Sequence, residues 1–126
     1  MLSKEGQQST NIRKKAGGGI RERGETDMTR GTTPKLTFSL PFDASQLSRL
    51  SIAFAQRDTV VLQKDLEDCQ VEGKEVSVQM TEDDTLAFLP DESVVYIQVR
   101  CGIGERRMAS DIICASVGKI LTEGKL

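Results

Sequence analysis

The strongest structural signal in the chain is the stretch Ser93-Val-Val-Tyr-Ile-Gln-Val-Arg-Cys101. It is rich in β-branched and aromatic residues, which favour extended backbone. Gln98 and Arg100 alternate with apolar neighbours, and this period of two is typical of a strand with one buried and one exposed face. We therefore predict a long strand here and assign the rest of the chain outward from it.

Several runs on the N-terminal side show the same signals of extended structure. The predicted strands cover residues 36–42, 50–55, 59–63 and 76–80. Between the last of these and Ser93, Thr81-Glu-Asp-Asp84 resembles a helix-capping sequence. We predict one or two helical turns over residues 82–88 that place Leu86 and Phe88 under the sheet.

On the C-terminal side, Gly102-Ile-Gly-Glu105 predicts a tight turn. The segment 106–121 is ambiguous, because Met108, Ile112 and Ser116 are spaced to line a helix. Its β-branched residues and the short turn before it favour a strand. The predicted fold is therefore all-β, a small antiparallel β-sandwich of about six strands with one short helical turn, covering residues 28–126.

Residues 1–27 differ from this domain in composition. They hold five of the eleven glycines and few apolar side chains, so burial cannot offset the entropy of ordering them, and we predict disorder. Residues 14–27 read KKAGGGIRERGETD, which purine-rich codons would encode directly before Met28. Our hypothesis is that Met28 is the native start and that residues 1–27 are an over-extended reading frame. The alternative is a flexible RNA-binding arm.

Charge and cysteine content exclude several classes of function. Residues 28–126 have a net charge of −4, which disfavours nucleic acid as a partner. The three cysteines (Cys69, Cys101 and Cys114) are widely spaced and histidine is absent, so we predict no metal site. Free thiols, with Cys101 and Cys114 facing the core, fit a cytoplasmic protein. No apolar run is long enough to span a membrane.

Two short motifs have simpler explanations than ligand binding. The pair Gly102 and Gly104 lacks the third glycine of a dinucleotide loop, and a hairpin turn explains both residues. The acidic run Glu82-Asp-Asp84 lacks the alternating spacing of a calcium loop and fits a helix N-terminus. With no histidine and no carboxylate in an apolar run, we predict no catalytic residue, no cofactor and no enzymatic activity.

Four stretches carry a resemblance to a known group of proteins: Met28-Thr-Arg-Gly-Thr-Thr-Pro34, TEDDTLAF (81–88), VYIQVR (95–100) and MASDIICASVGKILTEGKL (108–126). They are similar to small proteins encoded in phages and prophages of Gram-positive bacteria. The resemblance covers residues 28–126. It implies a small β-sandwich encoded near tail or baseplate genes, with no established catalytic residues.

The predicted function is that of a non-enzymatic structural or protein-interaction module, associated with a phage tail or baseplate. Its partners would be further copies or other virion proteins, so it could become virion-associated after assembly. Tyrosine and arginine are frequent at the centres of protein interfaces. The predicted contact residues are Tyr96, Gln98, Arg100, Arg106 and Arg107. The alternative is a regulatory β-domain that binds a small ligand between the sheet and the helical turn.

Overall fold

The structure is a computed structural model that describes residues 19–24 and 26–126. The described residues form ten strands and one short α-helix, α1 (Glu82–Leu86). The strands are β1 (Arg21–Arg23), β2 (Met28–Thr29), β3 (Lys35–Ser39), β4 (Arg49–Gln56), β5 (Thr59–Asp65), β6 (Cys69–Glu72), β7 (Glu75–Gln79), β8 (Val94–Ile103), β9 (Arg106–Ala109) and β10 (Ile113–Gly118).

The strands make two sheets. One has four strands in the order β1-β3-β7-β6, and the other has the order β2-β10-β8-β4-β5 with β9 also paired to β8. Every pair is antiparallel except β2 with β10, which is parallel. The predicted all-β fold is confirmed. The structure has ten strands where about six were predicted, because β1, β2 and β6 carry little apolar pattern and the last predicted strand is divided into β9 and β10.

Alternating side chains from both sheets fill a single core between them. In β4 every second residue from Leu50 to Gln56 is buried, and β8 buries Val95, Ile97, Val99 and Cys101 in the same way. Leu36 and Phe38 of β3 and Val76 and Val78 of β7 belong to the same cluster. This is the layered arrangement of a sandwich, in which each sheet covers the apolar face of the other.

The two lateral ends of the sandwich are crossed by the chain. At one end β5 and β6, the edge strands of the two sheets, are joined by a 3-10 turn at Leu66–Asp68. At the other end β1 borders the smaller sheet and β2 borders the larger one. The sheets are therefore connected through short segments at both ends.

The predicted disorder of residues 1–27 is wrong for the part that the structure describes, while residues 1–18 and 25 lie outside it. Arg21–Arg23 pair with Thr37–Ser39, and Arg23 forms an ion pair of 2.5 Å with Glu75. Ile20 is buried against the core. Sequence reasoning missed this strand because its side chains are exposed and charged, and its contribution comes from backbone pairing.

The region between α1 and β8 is held by one buried amide. Gln56, the last residue of β4, is fully buried and donates from Nε2 to the Val94 carbonyl at 3.1 Å. Its Oε1 accepts from the Leu89 N–H at 2.7 Å. Helical structure over 82–86 and the burial of Phe88 confirm the predicted helical turn, whereas Leu86 is only half-buried.

The ambiguous segment 106–121 is extended, as predicted, but it is divided. β9 pairs with the end of β8 and β10 pairs with its start, while residues 110–112 interrupt the ladder. The Ser110 side chain supplies hydrogen bonds where the ladder is interrupted. Its Oγ accepts from the Val99 N–H at 3.0 Å and donates to the Asp111 carbonyl at 2.7 Å. The predicted turn before it is confirmed at Gly104, whose φ is 57°.

Candidate functional site

The outer surface of the larger sheet, which points away from the core, carries most of the predicted contact residues. Tyr96, Gln98 and Arg100 occupy alternate positions of β8 and lie on this face. Arg107 of β9 pairs with Gly102 and belongs to the same face. Arg106 pairs with Ile103, one position along, so alternation places it on the other side of the hairpin. The structure therefore brings four of the five together.

The first half of this surface is weakly charged, and we call it the apolar face: Ala53, Ala55, Val60, Tyr96 and Cys114. Register places Cys114 beside Tyr96 and Tyr96 beside Ala55. Ala55 in turn pairs with Val60 of β5. The side chains of Tyr96 and Val60 are 45% and 55% exposed, although both are large and apolar. The alanines between them leave a shallow, open surface.

Gln98 has a structural partner within the chain. Its Nε2 donates to the Ser110 carbonyl at 3.0 Å, and its side chain is half-buried. The amide thus helps to hold the interruption between β9 and β10 in place. Gln98 and Arg107 are therefore two of the predicted contact residues whose polar groups already have partners within the described chain.

The second half of the surface is strongly basic, and we call it the arginine cleft: Arg49, Ser51, Arg100, Gly102, Arg107 and Met108. It is a shallow depression of about 210 Å³, and Leu50 and Cys101 also belong to its lining. Gly102 lies between Arg49 and Arg107 in register, and Arg100 lies beside Ser51. Arginines from three neighbouring strands therefore line one depression.

Arg107 is held in position by its own hairpin. Its Nη1 donates to the carbonyls of Gly104 and Arg106 at 2.8 and 2.9 Å. A Cβ atom on Gly102 would lie 2.8 Å from that Nη1, so a side chain at this position would displace the guanidinium. The glycine at position 102 therefore permits the close approach of Arg107 and does not serve an unusual backbone angle.

Sequence reasoning missed Arg49 as a member of this site. Its position before the alternating run of β4 does place it on the outer face. Its neighbours, however, depend on the pairing of β4 with β8, which joins residues about fifty positions apart. No local pattern fixes that register, so the convergence of Arg49 with Arg100 was not predictable.

The cysteines are free thiols, as predicted, but the predicted burial of Cys114 is wrong. Cys101 is buried, Cys69 is half-buried and Cys114 is exposed on the apolar face. Burial raises the pKa of Cys101 above its ordinary value. Burial, together with the charge of Asp68, raises the pKa of Cys69 to about 11. These two thiols stay protonated at neutral pH, so neither is an activated nucleophile.

The acidic run at α1 has a structural role at the helix start. The Asp84 carboxylate accepts from the Thr81 N–H at 2.8 Å, and Lys64 Nζ lies 2.8 Å from the same oxygen. Burial opposes ionisation of Asp84, but the bonds from Lys64 and Thr81 outweigh it and lower its pKa. A capping box with a half-buried cation therefore explains this residue, and the predicted helix N-terminus is confirmed.

Three negative findings concern metal binding, membrane spanning and known relatives. Within residues 19–24 and 26–126, no group of three or more Cys, Asp or Glu side chains is arranged to hold a metal ion. The helical segments in the same part of the chain are all too short to cross a bilayer. Models of known protein families and the sequences of curated proteins give no significant match to this chain.

Proposed function

We propose that this protein is a non-enzymatic interaction module that binds another protein through the apolar face. The observation that supports the proposal is the exposure of Tyr96 and Val60 on the outer face of the larger sheet. The resemblance of residues 28–126 to small phage and prophage proteins suggests a tail or baseplate assembly as its setting. In that setting the module acts by joining protein subunits.

The shape of the apolar face suits a second flat surface. Ala53 and Ala55 of strand β4 are small, so a partner can approach the sheet closely along that strand. Tyr96 stands beside them as a large, rigid side chain with a polar end, the type of residue that is frequent at the centres of interfaces. Sheets pack face to face in this manner within β-sandwiches.

The partner that we propose is a second copy of the chain. Homo-oligomers with two-fold symmetry are the commonest soluble assemblies, and a face of low charge can meet itself without repulsion. The apolar face fits this requirement, because its five residues carry no charged side chain. The arginines lie at one end of the larger sheet, so an antiparallel arrangement of the two copies keeps the arginine clefts apart.

Size-exclusion chromatography with light scattering tests self-association. We expect the full chain to form a discrete oligomer at micromolar concentration and Tyr96→Lys to shift it to monomer. Val71→Lys is the matched control, because Val71 is equally exposed, at 45%, but lies on the smaller sheet. A monomer at every concentration, or equal effects of the two variants, would contradict association through the apolar face.

Labelling of Cys114 gives a second readout at the same surface. We expect iodoacetamide to modify Cys114 slowly in the oligomer and quickly in Tyr96→Lys, because the two residues are cross-strand neighbours. The buried Cys101 serves as the internal reference and should react slowly in both proteins. Equal labelling of Cys114 in the two proteins would place the interface elsewhere.

A small-ligand-binding function is the second candidate, and the arginine cleft favours it. Binding to the native state raises the melting temperature in a saturable way. Self-association predicts instead that the melting temperature depends on protein concentration. The two candidates are therefore separated by titrating ligand and protein independently.

A further inference from the structure

Three other arginines of the domain have a counter-charge that the arginine cleft lacks. Arg23, Arg30 and Arg57 each form an ion pair with a carboxylate. In the described part of the chain, no carboxylate lies within 4.0 Å of the guanidinium groups of Arg49, Arg100 and Arg107. Like charges on adjacent strands repel each other, so this arrangement costs stability while it is empty.

The geometry of the cleft limits what can neutralise it. Its volume of about 210 Å³ is below the roughly 300–1,000 Å³ of sites for drug-sized ligands, so the bound group is small. Three arginines line the cleft, one each from β4, β8 and β9, and each carries a guanidinium fork. A planar carboxylate can be held by one such fork, whereas a tetrahedral phosphoryl group has enough oxygens for all three.

The surroundings of the cleft disfavour a polyanion. Asp65 pairs with Ser51, and together with Glu67 and Arg49 it lines a neighbouring groove. The domain as a whole is acidic, with a net charge of −4 over residues 28–126. A nucleic acid strand that extended beyond the cleft would therefore meet more negative charge than a single small anion.

We propose that the arginine cleft binds the phosphoryl group of a small molecule. Arg49, Arg100 and Arg107 supply the guanidinium donors, and the absent side chain at Gly102 lets Arg107 lie against the backbone beside them. Ser51 adds a hydroxyl at the edge of the site. This site lies beside the apolar face and does not depend on self-association.

Titration calorimetry with inorganic phosphate at constant ionic strength tests the proposal. We expect saturable binding to the full chain and a loss of about tenfold or more in affinity for Arg100→Gln, because a charge-assisted bond is removed. Arg106→Gln is the matched control. It lies on the same hairpin, outside the cleft, and should bind phosphate as the full chain does. Absence of saturable binding, or equal losses in both variants, would overturn the proposal.

Two further titrations identify the class of ligand. Acetate at the same ionic strength should bind at least tenfold more weakly than phosphate, and equal binding would overturn the preference for a phosphoryl group. A single-stranded oligonucleotide that bound more tightly than phosphate, and lost that binding in Arg100→Gln, would overturn the assignment to a small molecule. Arg100→Gln breaks no described ion pair, so its melting temperature without phosphate should not fall.

Discussion

Arg30 joins three parts of the molecule that are distant in sequence. Its guanidinium donates to the carbonyls of Phe88 and Leu86 at 2.8 and 3.1 Å and to Glu123 at 2.6 Å. The side chain is 6% exposed, whereas that of Glu123 is 61% exposed. The carbonyl bonds therefore matter more than the ion pair, since an exposed partner is screened by water.

Replacement of Arg30 should be among the most damaging changes outside the apolar core. We expect Arg30→Met to lower the free energy of unfolding by about 2–4 kcal/mol, because two carbonyls lose a buried donor. Arg30→Lys should recover only part of this free energy, because one ammonium group cannot donate in the fixed directions of the guanidinium group. Urea unfolding measures both variants. A loss below about 0.5 kcal/mol in Arg30→Met, the level of an ordinary surface change, would contradict this role.

Asp84 makes stability depend on pH. Its pKa is lower in the folded protein than in the unfolded chain, so its contribution is fully present above about pH 4 and is lost as pH falls through the folded pKa. We expect the full chain to lose more stability between pH 7 and pH 3 than Asp84→Asn does. Chemical unfolding at the two pH values measures the difference. An equal loss in both proteins would show that Asp84 is not the titrating group.

At the scale of elements, the first two strands bind the N-terminal segment to the domain. β1 adds to the smaller sheet, and Ile20 before it is buried. The Asp27 carboxylate accepts from the Ser116 N–H at 2.9 Å, beside the pairing of β2 with β10. These contacts oppose the hypothesis that the folded domain begins at Met28.

Deletion of residues 1–27 tests that hypothesis directly. We expect the free energy of unfolding to fall by at least about 1.5 kcal/mol, since a buried isoleucine and a strand are removed, and the melting temperature to fall by about 5 °C or more. Ile20→Ser in the full chain should reproduce part of the loss, and the exposed Glu22→Gln should not. An unchanged melting temperature after deletion would restore Met28 as the start of the domain.

Sequence predicted the elements whose side chains alternate and missed those that rest on backbone pairing. β3, β4, β5, β7 and β8 were predicted from their apolar or β-branched residues, whereas Arg21–Arg23 offers charged side chains only. The same limit applies to the site. Alternation along β8 placed Tyr96, Gln98 and Arg100 on one face, but the pairing with β4 that brings Arg49 to them is long-range. A local pattern contains no information about such pairing.

At the scale of the whole molecule, the centre of the larger sheet pairs residues that are far apart in the sequence. β4 pairs with β8 over Arg49–Ala55 and Tyr96–Gly102, with β5, β6, β7 and α1 between them in sequence. Domains dominated by such pairings fold on the scale of roughly milliseconds to seconds. We expect stopped-flow refolding from urea in that range. A dominant microsecond phase that recovers the native signal would show that the pairing of β4 with β8 does not limit the folding rate.

The position of β8 also has a consequence during protein synthesis. Neither the core of the larger sheet nor the buried contacts of Gln56 with Leu89 and Val94 can form until β8 has been translated and has left the ribosome. About four-fifths of the chain is therefore made before its central strand becomes available. Until then the apolar sides of β3, β4 and β7 have no complete sheet to cover them, and nascent chains are most exposed to chaperones and proteases in this interval.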